Sequence, residues 1–281
     1  MYKRINFEQF TELDPKWVRS QISSFIKEDT PYGDLTTDSI TFNNKPVIAN
    51  MVAMEPFIFC GESYIPFSFP DGCKATVLSR DGVKVNAGDS IAEIIGPANR
   101  ILTFERVILN LVQRLCGIST ETHNYCMLDL PNDFKVMDTR KTTPGLRLFE
   151  KHAVSVGGGW NHRLNLSSAI LIKDNHLEAA GSISNAISMI KKKVVKGIPI
   201  ELEVDTIDQL KEGLKFDIDG FLLDNMKPEL VKKCVHLIRE SKDGDSIFIE
   251  ASGGINFNTL ESYANTGIDG VSMSAITANA P

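Results

Sequence analysis

Cysteine is scarce in this chain of 281 residues. The five present, Cys60, Cys73, Cys116, Cys126 and Cys234, are scattered, odd in number and without a C-x-x-C pair. The pattern suggests neither a disulfide framework nor a zinc site and leaves the thiols as small buried hydrophobes. Long apolar runs are missing too. No stretch approaches the roughly 18 to 20 uninterrupted apolar residues of a membrane span, and the first ten residues, MYKRINFEQF, lack the apolar core of a signal peptide. A cytoplasmic protein without a membrane partner is therefore expected. A net charge of −6, with no long basic run or basic-aromatic stripe, argues against nucleic acid. Trp17 and Trp160, the only tryptophans, carry no specific signal, and His123, His152 and His236 show no metal-ligand spacing.

Against that acidic background one segment stands out. From Lys135 to Lys173, seven basic residues (Lys135, Arg140, Lys141, Arg147, Lys151, Arg163 and Lys173) meet only Asp138 and Glu150, a local net charge of +5. A concentrated positive field of this kind draws in a small polyanion.

The first third reads as an α/β module. Val18, Ile22, Phe25 and Ile26 form one stripe of a helix over 16–27, which Pro31-Tyr32-Gly33-Asp34 breaks. Alternation around Asp-Gly and Ala-Gly-Asp turns predicts short strands over 75–96, as in a hammerhead-like sandwich. It is similar to a lipoyl or biotinyl carrier domain, but lacks the hairpin lysine such carriers modify. Phe104, Ile108, Leu111 and Leu115 predict a helix over 101–118, with Arg106 off its buried face. Beyond it, apolar runs at 134–138, 169–173, 198–204, 220–224, 246–250 and 270–273 alternate with helical segments such as 182–195, 206–214 and 228–240. Thr206, Pro228 and Gly267 punctuate those helices. Alternating β and α predicts a parallel sheet, and about 25 residues per unit with six strands predicts an incomplete β/α barrel. The expected domains are an N-terminal α/β sandwich over 1–112 and a barrel over 113–281.

Each apolar run closes on polar residues. The runs lead into Asp138-Thr139-Arg140-Lys141, Lys173-Asp174-Asn175, Glu203-Val204-Asp205, Asp224-Asn225, Ser252-Gly253-Gly254 and Ser274. Carboxyl ends of parallel strands line active sites, so six polar strand ends describe one pocket. Arg140, Lys141, His162, Arg163 and Lys173 suit a clamp on two carboxylates or a phosphate chain. A solvated charged helix face is the plainer alternative, but Thr-Thr-Pro-Gly after a strand end is not a helical face. Glu203 and Asp224 suit Mg²⁺, while a structural salt bridge to Lys141 or Lys173 explains them equally well. Glu201 and Asp205 lie on the same face as Glu203 by period two, and the sequence does not choose among the three. Ser252-Gly253-Gly254 allows close backbone approach, with helix-terminal N–H groups for a phosphate, or is merely a tight turn. Gly157 to Gly159 is open in the same way.

At these residues the chain resembles the quinolinate phosphoribosyltransferase family, the carboxylating nicotinate-nucleotide pyrophosphorylases of NAD biosynthesis. The resemblance runs from Glu28-Asp29 through Gly33-Asp34-Leu35-Thr36-Thr37, Glu105-Arg106 and Asp138–Arg147 (DTRKTTPGLR). It continues in Gly157–Gly159, Asn161-His162-Arg163, Lys173–His176 (KDNH), Glu201–Asp205, Leu223-Asp224-Asn225 and Glu250–Gly254. It implies an N-terminal sandwich on an incomplete barrel, and a homodimer whose partner completes each pocket. It also implies conversion of quinolinate and phosphoribosyl pyrophosphate to nicotinate mononucleotide, pyrophosphate and CO₂, with Mg²⁺. By motif, Arg140, His162 and Arg163, adjoined by Thr139, would hold quinolinate, joined by Arg106 from the neighbouring subunit. Lys141 and Lys173 would reach substrate and pyrophosphate. Glu203 and Asp224 would meet metal and ribose, and Ser252, Gly253 and Gly254 the 5-phosphate, with Ser274 in the last phosphate loop.

Ser274 and Ala278 depart from the family's glycine and histidine. The Glu28–Asp34 block is similar to the ModD branch, paralogues linked to molybdate transport, which lack the intact DTRKTTPGLR, NHR and KDNH set. Phosphoribosyl transfer to another aromatic acid, a non-catalytic anion-binding homologue, and Schiff-base chemistry at Lys173 are the alternative readings.

Overall fold

Asp14 begins the first helix, its carboxylate accepting the Trp17 N–H at 2.8 Å, and Pro15 occupies the first helical position. The resulting helix, α1 (Pro15–Asp29), buries Val18, Ile22 and Ile26 of the predicted stripe, while Phe25 is half-buried. It belongs to a computed structural model that describes residues 3–42, 45–193 and 197–281. The chain divides into two compact units, and neither is continuous in sequence. One comprises Phe10–Asn124, Thr143–Gly158 and Asn279–Pro281, and the other the segment ending at Gln9 with Tyr125–Thr142 and Gly159–Ala278.

In the first unit, α1 is followed by a turn at Gly33 (φ 94°) and by α2 (Leu35–Asp38). The predicted alternation yields antiparallel strands. β1 (Pro46–Val52), β5 (Ser90–Pro97) and β3 (Lys74–Val77) form one sheet in the order β1-β5-β3, and β2 (Phe57–Ile58) pairs β4 (Lys84–Val85). Next comes α3 (Ala98–Cys126), longer than the predicted 101–118. Its buried stripe continues through Ser119, Thr122 and Tyr125, and the two polar members hide it from an apolar pattern. Ser119 fits there because its hydroxyl donates to the Ile58 carbonyl at 2.7 Å. α4 (Arg147–Val156) ends at Gly157, where a Cβ would lie 2.5 Å from the Ser119 carbonyl oxygen. Glu150, fully buried on α4, pairs with Arg114 of α3 at 3.1 Å, so one of the two acids in the basic segment is already neutralised.

The second unit holds the six predicted parallel strands, β6 (Lys135–Met137), β7 (Ile170–Ile172), β8 (Ile200–Val204), β9 (Gly220–Asp224), β10 (Phe248–Ser252) and β11 (Gly270–Ser272). Their order is β6-β11-β10-β9-β8-β7, so β6 and β7 are the outer strands and the barrel is incomplete. Helices α5 (Asp174–Ala180), α6 (Ile183–Lys193), α7 (Ile207–Gly213), α8 (Pro228–Arg239), α9 (Leu260–Ala264) and α10 (Ala275–Ala278) intervene or come after them. Residues 194 and 195 of the helix predicted over 182–195 lie outside the described residues. Thr206 caps α7 in a reciprocal box with Gln209, Pro228 opens α8, and Gly267 (φ 93°) comes after α9. Leu202, Val204, Phe221, Leu223, Ile249, Ala251 and Val271 are buried along the strands. That rigid apolar sheet fixes where the polar strand ends stand.

Candidate active site

Just past β6, Asp138 is fully buried and acts as a fastener. One carboxylate oxygen accepts the His162 N–H at 2.9 Å and the other accepts the Asn161 side-chain amide at 2.8 Å. With the Met137–Trp160 bridge, this ties Asn161-His162-Arg163 to the strand end. The His162 ring stacks on Phe7, centroids 4.3 Å apart. Its Nδ1 accepts the Arg163 N–H at 2.8 Å, and its Nε2 lies 3.4 Å from Glu250 and 3.6 Å from Glu201. Both ring nitrogens thus face groups of the chain itself, and only 5% of the residue is exposed.

The surroundings of His162 and Glu201 favour their protonated forms. Burial works against charge on the ring, but the charge of Glu250 and hydrogen bonding with both glutamates outweigh it and push His162 up to about 9. Burial, then the charge of Glu250, pushes Glu201 up to about 7. Nδ1 accepts the Arg163 N–H, so in the neutral ring the proton sits on Nε2, facing the two glutamates. Ser272 donates to Glu250 at 3.0 Å, yet one oxygen of each glutamate stays buried without a hydrogen bond.

Arg163 is buried beside this triad and donates to the Ala169 carbonyl at 2.9 Å. Burial and then the charge of Arg140 press it below its ordinary pKa. Arg140 Nε is buried with no hydrogen bond of its own. Two guanidiniums that feel each other's charge, one with an unmet donor, are groups of the kind that bind carboxylates. Thr139 braces the turn by accepting the Lys141 N–H at 2.9 Å, and exposed Lys141 is anchored through its carbonyl by Thr277.

Farther along the sheet, Lys173 after β7 donates to Glu203 of β8 at 2.7 Å. Burial keeps Glu203 above its ordinary value, opposed by Lys173 and assisted by Asp224 and Asp174. Asp224 is raised by burial and by Asp205, with Lys173 and Lys141 pulling it back. This excess of hard oxygen donors is the set a divalent cation such as Mg²⁺ takes, so the residues fit that metal. Ser252 lies opposite Asp224 in register, and its carbonyl accepts the Asn225 N–H at 2.9 Å. Gly253 (φ 91°) and Gly254 (φ 65°) come next, with Asn225 itself at φ 52°. No helix begins there. α9 starts at Leu260, so the N–H groups available to an anion at Gly253 and Gly254 belong to a turn rather than to the helix terminus expected. Ser274 stands after β11 at the head of the four-residue α10.

The second unit therefore gathers Thr139, Arg140, Lys141, His162, Arg163, Lys173, Glu203, Asp224, Ser252, Gly253, Gly254 and Ser274 at strand ends. Arg106 lies in the other unit, exposed on α3, where with Arg114, Asn110 and Thr143 it lines a cavity of ≈ 460 Å³. The sequence motif includes Glu250 but gives it no role of its own. An acid inside the otherwise apolar run Phe248–Ala251 was the available signal, since glutamate is almost never fully buried unless paired.

Residues 34–116 match the quinolinate phosphoribosyl transferase N-terminal domain and residues 118–281 its C-terminal domain. The chain belongs to the quinolinate phosphoribosyltransferase family. It is 39% identical to a probable carboxylating nicotinate-nucleotide pyrophosphorylase of Bacillus subtilis, over 92% of this chain and 89% of that protein. To the carboxylating nicotinate-nucleotide pyrophosphorylase of Mycobacterium leprae it is 34% identical, over 92% of each. Its fold is similar to the nicotinate-nucleotide pyrophosphorylase of Francisella tularensis, with a TM-score of 0.85, 34% identity and coverage of 97% and 95%. The NadC structure from Streptococcus pyogenes gives 0.87 at 34% identity, covering 96% and 95%.

Proposed function

We infer that this protein is a quinolinate phosphoribosyltransferase of NAD biosynthesis. It joins quinolinate to the phosphoribosyl group of phosphoribosyl pyrophosphate and releases pyrophosphate and CO₂, giving nicotinate mononucleotide. Beyond family membership, the observation that carries this reading is the buried Arg140 Nε left without a hydrogen bond just past β6, with Arg163 also buried in the same unit. Two guanidiniums suit the two carboxylates of quinolinate. Held there, the pyridine nitrogen attacks the ribose carbon as pyrophosphate departs with the bonding pair. Glu203 and Asp224 stabilise positive charge developing on the sugar, and Lys141 and Lys173 take the leaving pyrophosphate. Loss of CO₂ then places its electron pair in the cationic ring, and a proton replaces it.

The same reading assigns Ser252, Gly253, Gly254 and Ser274 to the 5-phosphate, with Thr139 and His162 bracing the two arginines. Mg²⁺, held by Glu203 and Asp224, would supply charge to the pyrophosphate oxygens. Arg106, exposed beside a cavity, is proposed to reach quinolinate in a second copy of the chain within a homodimer. No helix among the described residues is long and apolar enough to cross a membrane, and five free cysteines support a reducing, cytoplasmic setting.

The test is an assay of purified protein with quinolinate, phosphoribosyl pyrophosphate and Mg²⁺. Stoichiometric nicotinate mononucleotide and CO₂ are expected. Turnover of another aromatic acid but not of quinolinate would overturn the assignment in favour of a ModD-like activity.

A further inference from the structure

A second cluster of ligating side chains lies in the first unit, among residues that the phosphoribosyl reaction does not use. Cys60, Asp81 and His152 are distant in sequence, yet a ligand atom of each lies within 4.8 Å of the others. Cys60 and His152 are fully buried, and Asp81 is partly exposed. His152 Nδ1 is 3.0 Å from the Phe10 carbonyl, which can only accept, so Nδ1 carries the ring proton. That leaves Nε2 as the atom aimed into the cluster, buried and without a hydrogen bond. Facing it at 3.6 Å is Asp81 Oδ2. The other Asp81 oxygen is fixed by the Gly61 and Glu62 N–H groups at 2.6 and 3.0 Å.

This arrangement is poorly served by a simple ion pair. A charge-assisted N–H···O bond spans roughly 2.7–2.9 Å, well short of the distance found. Two donors at about 2.0–2.1 Å from a tetrahedral cation stand about 3.3–3.4 Å apart, close to it. The surroundings also match a metal centre. A ligating imidazole ordinarily donates its other N–H to a carbonyl, and a ligating carboxylate is held by further hydrogen bonds.

We propose that Cys60, Asp81 and His152 form a structural site for a zinc-class divalent cation, with thiolate, carboxylate and imidazole as ligands. Binding displaces the Cys60 thiol proton to solvent, and the metal's charge stabilises the buried thiolate. The site is separate from the Mg²⁺ position proposed at Glu203 and Asp224, whose oxygen-only donors suit a harder ion.

Full-length protein stripped with chelator and titrated with Co²⁺ tests this. A thiolate-to-cobalt charge-transfer band that saturates at a single ion per chain and is displaced by Zn²⁺ is expected, with a rise in Tm on adding Zn²⁺. Cys60→Ser and His152→Gln should each weaken binding beyond the roughly 10–100-fold typical of losing a supporting hydrogen bond. Asp81→Asn retains the oxygen held by Gly61 and Glu62, so it preserves the local fold if the other variants misfold, and it too should lose the band. Absence of the band in wild-type protein, or its persistence in folded Asp81→Asn or His152→Gln, overturns the proposal. A Tm indifferent to Zn²⁺ in wild type but lowered by Asp81→Asn would identify a plain His–Asp pair instead.

Discussion

Glu250 Oε1 lies 3.4 Å from His162 Nε2, and both residues are buried. A carboxylate in that position, with Glu201 on the other side, holds a proton that the unfolded chain releases more readily. His162 is raised to about 9 and Glu201 to about 7, from ordinary values of 6.5 and 4.5. A raised folded pKa contributes stability that is complete below the unfolded value and is lost as pH climbs through the folded one. Tm should therefore fall as pH rises, Glu201's share being lost from its ordinary 4.5 up to about 7 and that of His162 from 6.5 up to about 9, and Glu250→Gln, which removes one of the two like charges, should make that fall shallower. Thermal denaturation across this range checks it, and parallel profiles for the two proteins would count against the triad.

Arg140 and Arg163 differ in how firmly the fold depends on them. Arg163 donates to the Ala169 carbonyl from a buried position, whereas Arg140 leaves a donor unmet. Both Arg140→Ala and Arg163→Ala should weaken quinolinate binding by about 2–5 kcal/mol, more than they weaken phosphoribosyl pyrophosphate binding. Only Arg163→Ala should also lower Tm. Calorimetric titration with each ligand separates the effects, and equal losses for both ligands would refute the carboxylate assignment.

Gly253 has φ 91°, and a Cβ there would collide with the Asn225 side chain. Gly253→Ala should cost about 1–3 kcal/mol of stability and displace the turn N–H groups proposed to meet the 5-phosphate. A higher KM for phosphoribosyl pyrophosphate with an unchanged KM for quinolinate is the expected kinetic result. A change confined to quinolinate would move the phosphate site elsewhere.

The six barrel strands were legible because each apolar run closed on a polar residue, and β8, β9 and β10 appear within two residues of their predicted bounds. Thr206, Pro228 and Gly267 were legible for local reasons, since capping and positive φ are decided by neighbours in sequence. Non-local facts were out of reach. Nothing in the runs at 134–138 and 270–273 says that they pair as β6 and β11. The extension of α3 to Cys126 was hidden because Ser119 and Thr122 interrupt its stripe, and only the Ile58 carbonyl explains the buried Ser119 hydroxyl. Glu201 could not be told from Glu203 and Asp205 by period two. Their partners differ, since Glu201 meets His162 whereas Glu203 meets Lys173.

Lys173 and Glu203 form an ion pair of 2.7 Å in which the lysine side chain is 43% exposed. Its lysine end is open to solvent while Glu203 is only 10% exposed, so the pair adds little to folding, about 1 kcal/mol, and the proposed reaction uses it to place an ammonium and a carboxylate beside the departing pyrophosphate. Lys173→Met and Glu203→Gln should each leave Tm nearly unchanged while lowering kcat by about 10²–10³-fold, as for loss of one group that stabilises transition-state charge. Their Mg²⁺ responses should diverge. Glu203→Gln removes a proposed metal ligand and should raise the Mg²⁺ concentration needed for half-maximal rate. Lys173→Met removes a competing cation beside that ligand and should lower it or leave it unchanged. Steady-state rates over a Mg²⁺ series read both, and a raised requirement in Lys173→Met alone would show that Glu203 is not the residue that meets the metal.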